Sequence, residues 1–404
     1  MKKFNKFLSV AVASAMVMAM AGCGNTDNGS AATGTNAATE SAAASDSAAS
    51  GSVFKIGGIG PTTGGAAVYG LAVQHGAEIA IEEINAAGGI NGYQVEFKFQ
   101  DDEADAEKSV NAYNALKDWG AQIIDGSTTG ACIAVTDKTK EDNMFQITPS
   151  GSAVECVQYD NNFRVCFSNP NQGLASAQYI GENGLAEKIA VIYDSSDVYS
   201  SGIYEKFVKE AENQPFEVVA AEAFTADNKT DFSVQLQKAK DAGADMVFLP
   251  IYYQESALIL TQAAAMGYAP KWFSCDGMDG ILGGVDNFDV SLTEGVMLLT
   301  PFAADATDDL TQSFVTKYKE KYGETPNQFA ADSYDAIYVI KAAIEKSGVT
   351  PDMSVSDICD GMKAAMTEIT VDGLTGNGMT WTADGEANKA PKAVVIENGA
   401  YKAM

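Results

Sequence analysis

The chain has 404 residues, of which 46% are hydrophobic and 20% charged, and its 54 Asp and Glu against 26 Lys and Arg give a formal net charge of −28. A body this acidic lacks the basic footprint that phosphate contacts need, which excludes nucleic acid as a partner and favours neutral or zwitterionic small molecules over anions. The length suits two domains rather than one.

In chain order, Lys2, Lys3 and Lys6 precede the uncharged apolar run 7–23, FLSVAVASAMVMAMAGC. That run is shorter than the ~20 apolar residues of a bilayer span. A basic start, a short apolar core and small residues before a cut form an export signal over residues 1–22. Met20-Ala21-Gly22-Cys23 resembles a bacterial lipobox, with methionine where leucine is commoner. The resemblance implies that Cys23 is lipidated and becomes the new N-terminus; the plainer alternative is an ordinary signal with an incidental cysteine. Loss of the three lysines makes the mature chain still more acidic. Residues 24–52 contain no aromatic and no large aliphatic residue. They cannot bury enough apolar area to offset their ordering entropy, so 23–52 is expected to be a flexible, lipid-anchored tether. The expected location is the outer face of a bacterial cell membrane, held there through the lipid alone.

From Val53 onward short β-rich runs alternate with helical stretches. Strands are expected at 54–60, 93–100, 122–125 and 145–148, with helices at 68–87, 105–118 and 131–142. After a turn-rich segment the pattern restarts. Helices at 171–183, 201–212, 231–241 and 254–266 alternate with strands at 188–194, 216–224, 245–250, 271–275 and 295–300. Helices near 308–321, 329–346 and 355–366 follow, with short strands near 378–381 and 393–396. Regular β-α-β alternation implies an α/β fold, with parallel sheets covered by helices on both faces. Two series imply two doubly wound lobes, with a ligand cleft beyond the carboxyl ends of the strands.

Five cysteines remain besides Cys23: Cys132, Cys156, Cys166, Cys275 and Cys359. The odd number leaves at least one unpaired. Cys156 and Cys166 flank the turn-like VQYDNNFRV and could be bridged outside the cell, or be two free thiols. No C-x-x-C pair or Cys/His cluster supports a metal. His75 is the single histidine and sits at helical period, so it reads as an ordinary helix residue. No G-x-S-x-G elbow accompanies it, and the chain is not expected to be an enzyme or to carry a cofactor.

IGGIGPTTGGAAVYG (56–70) joins a strand to a helix through a Gly/Thr-rich turn, but Pro61 and the register depart from a dinucleotide loop and no G-K-[ST] ends it. Two other strand ends carry more chemistry. DGSTTGA (125–131) places Ser127, Thr128, Thr129 and Gly130 at a helix start, and TPSGSA (148–153) repeats the arrangement with Ser150, Gly151 and Ser152. Free N–H groups and hydroxyls there suit a carboxylate, against plain N-capping as the alternative. The second series offers Tyr193, Tyr199, Tyr252, Tyr253 and Asp276 at equivalent strand ends. Tyr199 and Tyr252 are candidate pocket walls rather than core. Asp276 could take an ammonium group, or cap a helix.

These segments together resemble the type I periplasmic-binding fold, and more closely the branched-chain amino-acid (leucine/isoleucine/valine-type) substrate-binding proteins of ABC transporters. The segment GAEIAIEEINAAGGINGYQVEFKFQDDEAD (76–105) is the most specific carrier. The resemblance implies that Ser127, Thr128, Thr129 and Gly130 hold an α-carboxylate, with the loop of Ser150, Gly151 and Ser152 beside them. Ser152 would assist with either polar end of the ligand. Asp276, where glutamate is usual, would pair with the α-ammonium; Tyr199 and Tyr252 would line the pocket, and Tyr69 and Phe329 would be apolar walls near its mouth. It also implies two lobes, 53–169 plus 301–391 and 170–300 plus 392–404, joined by a three-stranded hinge with crossings near 168–171, 299–302 and 390–394. The implied partners are a small zwitterionic amino acid and an ABC permease with its ATPase subunits, served by a monomer. A ligand sensor of the same fold, for amides, urea or another amino acid, is the alternative.

Overall fold

Five short parallel strands build the first sheet of the computed structural model, which describes residues 51–404; the export signal and Cys23 lie outside the described residues, as does the tether up to residue 50. In chain order the elements are β1 (Phe54–Gly60), α1 (Ala67–Ala86), β2 (Val95–Asp101), α2 (Ala106–Trp119), β3 (Ile123–Gly126), α3 (Thr129–Glu141), β4 (Phe145–Thr148) and β5 (Asn162–Arg164). The strand order is β2-β1-β3-β4-β5, parallel throughout. β1, β3 and β4 are buried almost along their whole length, as continuous apolar strands with helices on both faces must be.

The chain then passes through α4 (Asn169–Glu182), β6 (Lys188–Asp194), α5 (Val198–Ala211), β7 (Glu217–Phe224), α6 (Ser233–Asp241), β8 (Met246–Leu249), α7 (Tyr253–Ala265), β9 (Lys271–Ser274) and β10 (Met297–Thr300). Three helices follow: α8 (Asp309–Tyr322), α9 (Gln328–Ser347) and α10 (Val355–Met366). β11 (Lys392–Glu397) and β12 (Ala400–Ala403) form a terminal hairpin on the second sheet. That sheet has the order β12-β11-β10-β9-β8-β6-β7, with β6 to β10 parallel and the hairpin antiparallel at one edge. The two sheets with their helices are the two lobes.

The late helices return to the first lobe. α9 packs along α1 so closely that a Cβ on Gly76 would lie 2.0 Å from the Ala330 carbonyl oxygen. Only glycine lets the two backbones approach that far. Ser333 Oγ also donates to the Val73 carbonyl, and the Tyr334 hydroxyl to Glu83. Asn327 caps α9 by accepting from the Phe329 and Ala330 N–H groups. The chain therefore crosses between lobes after β5, after β10 and before β11.

Sequence periodicity missed β5, which is only three residues long, and β12, whose AYKA contains no β-branched residue. The strand expected near 378–381 is instead two isolated bridges, Val371 to Met379 and Trp381 to Ala387. The possible bridge between Cys156 and Cys166 is not formed, and all five described cysteines are free. The segment between those two is not a simple turn: β5 runs through it and carries Cys166 past the end of the sheet. Cys156 lies in a single helical turn, Val154–Val157, and packs against Cys132 and Ala153 with its Sγ toward the Thr129 carbonyl. His75 stacks on Tyr322, with ring centroids 3.6 Å apart, in keeping with a packing role. No described helix is long and apolar enough to cross a membrane.

Candidate functional site

The carboxyl ends of β3 and β4 lie side by side, and their following loops meet. Helix α3 starts at Thr129, two residues earlier than its apolar pattern suggests, and Thr128 is its N-cap. Thr128 has φ 64° and ψ 150°, a conformation costly for a β-branched residue. Its N–H donates to Ser150 Oγ at 2.9 Å, which binds one loop to the other. Its hydroxyl makes no cap bond and is buried without a partner. Simple N-capping therefore does not account for Thr128. The first turn of α3 also leaves its leading N–H groups without intrahelical acceptors, as every helix start does. Such a turn attracts negative charge.

Behind this turn is a hydroxyl network. Thr129 Oγ1 meets Ser152 Oγ at 3.1 Å and accepts from the Ser152 N–H at 3.1 Å, while Ser150 Oγ reaches Ser127 Oγ at 3.4 Å. Arg164 is wholly buried and fixes the second loop, donating to the carbonyls of Gly151, Ser152 and Ala153. Its role was not legible in sequence, because a lone arginine in an acidic chain carries no motif.

The second lobe brings Asp276 and an aromatic set. Asp276 follows β9 and is buried; one carboxylate oxygen accepts from Gln172, and the other, Oδ1, has no partner. Burial pushes its pKa up from the usual carboxylate value to about 7, despite the nearby Tyr199 hydroxyl and the Gln172 hydrogen bond, both of which favour the anion. The Tyr199 hydroxyl accepts from the Gly277 N–H at 2.9 Å. A Cβ on Gly277 would lie 2.6 Å from that hydroxyl, so the approach requires glycine. Tyr199 stacks on Tyr252 with centroids 4.9 Å apart.

One cavity gathers these groups. Its walls are Tyr69, Thr128, Thr129, Ser150, Tyr199, Tyr252, Asp276, Gly277 and Phe329. Eight of the candidates named from sequence therefore meet in one place. Ser127, Gly151 and Ser152 support the loops without lining the cavity, Gly130 is exposed in the first turn of α3, and Gly277 is the wall residue that sequence reasoning did not name. Tyr193 stacks on Tyr204 instead, and the Tyr253 hydroxyl donates to the Gly65 carbonyl. The N–H groups of Thr62 and Thr63 are taken by Asp101, so the glycine-rich loop after β1 braces itself.

The cavity measures about 20 Å³. Roughly one water would fill it. Admission of anything larger requires its walls to part, and the lobes are tied directly across it. The Tyr69 hydroxyl donates to the Gly277 carbonyl at 2.6 Å and accepts from the Tyr253 N–H at 3.3 Å. The Gln328 N–H donates to Asp279 at 3.0 Å.

The chain is similar to the Leu/Ile/Val-binding protein homolog 3 of Brucella melitensis, with 30% identity over 74% of this chain and 80% of that protein. It is similar, again at 30% identity, to a leucine-, isoleucine-, valine-, threonine- and alanine-binding protein of Pseudomonas aeruginosa, over 73% of this chain and 78% of that one. Among solved structures it resembles the branched-chain amino acid transporter substrate-binding protein LivJ of Streptococcus pneumoniae in complex with isoleucine, at 27% identity and a TM-score of 0.78, covering 87% of this chain and 99% of that one. The family model described as periplasmic binding protein matches residues 53–400, nearly all of the described chain, and the chain belongs to that family.

Proposed function

We propose that this chain is an extracytoplasmic receptor that captures a branched-chain amino acid between its lobes and delivers it to an ABC permease and its ATPase subunits. The observation that carries the reading is the polarity of one small cavity. The unpartnered Thr128 hydroxyl, with Thr129 and Ser150 beside it, lines it from one lobe, and Asp276, one carboxylate oxygen of which is unpartnered, lines it from the other. A zwitterion offers a carboxylate to the first set and an ammonium to the second. Tyr69, Tyr199, Tyr252 and Phe329 supply an apolar enclosure for its side chain. The named ligands of the relatives at 30% identity support the same class.

In this reading the lobes are 53–169 plus 301–391 and 170–300 plus 392–404, and they close about the three crossings. Cys23 is lipidated, 23–52 is the tether, and the receptor works as a monomer. Binding, not catalysis, is the task. A thermal-shift screen of residues 24–404 against the twenty amino acids, small amides, urea and sugars tests it, because a ligand that binds only the folded form raises the midpoint. Shifts with leucine, isoleucine or valine are expected. A shift with amides or sugars alone would overturn the ligand class.

A further inference from the structure

Gln172 lies in the first turn of α4, just past the crossing from the first lobe, and is 3% exposed. Its side-chain amide grips Asp276 at two points. Nε2 donates to Asp276 Oδ2 at 2.8 Å, and Oε1 accepts from the Asp276 N–H at 3.3 Å. Nε2 also reaches the Phe167 carbonyl, in the crossing itself, at 3.5 Å. With Oδ2 held in this way, the oxygen left over is Oδ1, buried and unpartnered on a residue that lines the cavity. A neutral amide suits this task. A lysine or arginine would fix the carboxylate as firmly but neutralise the charge that a cation needs.

We infer that Gln172 is the positioning residue of this site: it orients Asp276 toward an ammonium group and ties that carboxylate to the interlobe crossing. The inference rests on the assignment of Asp276 as the ammonium acceptor. The groups facing Asp276 come from several elements. Tyr199 on α5 and Tyr252 before α7 are close, Cys275 precedes it, and Cys166 is near in the crossing. Asp332 on α9 opposes ionisation of Asp276 and is itself paired with Lys389. Of the neighbours, Gln172 hydrogen-bonds its carboxylate and favours the anion, as does the Tyr199 hydroxyl close by.

The test is the titration of Asp276 in the protein without added amino acid. It is followed by the carbon-13 signal of the labelled side-chain carboxyl and assigned by its absence in Asp276→Asn. Gln172→Leu removes the donor, and Gln172→Glu keeps the shape while replacing the donor with an acceptor. Both are expected to move the titration midpoint upward by on the order of one pH unit, the glutamate further than the leucine, and to weaken L-leucine binding at pH 7 about tenfold. Binding of 4-methylpentanoate, which lacks the ammonium, should not change between wild type and variants. A residue that only packs would lower thermal stability without moving the midpoint. An unmoved midpoint in Gln172→Glu, with the variant folded, would overturn the inference. If instead the midpoint moves while Asp276→Asn leaves L-leucine affinity unchanged, Gln172 still positions Asp276, but Asp276 is not the ammonium acceptor.

Discussion

Replacement of Asp276 by asparagine separates the binding role of this carboxylate from its cost to the fold. Its pKa in the cleft is raised to about 7 from an ordinary 3.8. A carboxyl whose folded-state pKa is raised contributes stability that is fully present below its unfolded pKa and is lost as pH rises through the folded value. Here the loss runs from about pH 4 to about pH 7, and three pH units correspond to on the order of 4 kcal/mol. Asp276→Asn removes that dependence. The melting temperature of the variant minus that of wild type should therefore be larger at pH 8 than at pH 5, measured without added amino acid. Affinity should move the other way. Loss of one partner of a buried ion pair costs about 3–5 kcal/mol, so L-leucine should bind at least ~100-fold more weakly at pH 8. In wild type the affinity should fall about tenfold for each pH unit below 7, because Asp276 must release a proton before it can accept the ammonium. Calorimetry at pH 5, 6, 7 and 8, with melting curves on the same samples, reads all of these. An affinity within twofold of wild type, or a melting difference that does not change with pH, would refute the reasoning.

Three further outcomes follow from named contacts. Thr128→Gly relieves a left-handed β-branched backbone and should stabilise the fold by about 1 kcal/mol in denaturant titration. The same change removes a hydroxyl of the cavity wall, so it should weaken L-leucine more than leucinamide; equal losses would remove Thr128 from carboxylate recognition. Tyr69→Phe deletes the hydroxyl that bridges the Gly277 carbonyl and the Tyr253 N–H between lobes. It should enlarge the radius of gyration in small-angle scattering of the protein without amino acid, and an unchanged radius would mean these bonds do not hold the lobes together. Lys389→Met breaks a fully buried ion pair with Asp332 and leaves the acid without its partner. A loss of about 3–5 kcal/mol is expected in urea unfolding, and a loss below 1 kcal/mol would contradict the pairing.

Much of the site was legible because it stands on strand ends. Alternating β and α runs placed β3, β4, β8 and β9 in parallel sheets, and the rule that ligands gather beyond carboxyl ends selected Thr128, Thr129, Ser150, Tyr252 and Asp276. Tyr69 and Phe329 came with the family resemblance rather than from periodicity. What the sequence concealed depends on contacts distant in the chain. Gln172 and Asp276 are 104 residues apart, and no local pattern announces their pairing. Gly277 matters only because the Tyr199 hydroxyl comes to its backbone from α5. Arg164 braces loop carbonyls from within a three-residue strand too short to be seen. The spacing of Cys156 and Cys166 was misleading for the same reason, since β5 separates what looked like the two arms of a turn.

The central claim is that one cavity reads both charged ends of an amino acid. Calorimetry of the mature chain with L-leucine, 4-methylpentanoate and 3-methylbutylamine at pH 7.5 tests it directly. The two analogues keep the branched chain, and each lacks one charged group. Leucine binding, with each analogue weaker by 100-fold or more, is the predicted result. An analogue that binds within tenfold of leucine would contradict the assignment of the pole it lacks, Asp276 for 4-methylpentanoate and the Thr128–Thr129 turn with Ser150 for 3-methylbutylamine.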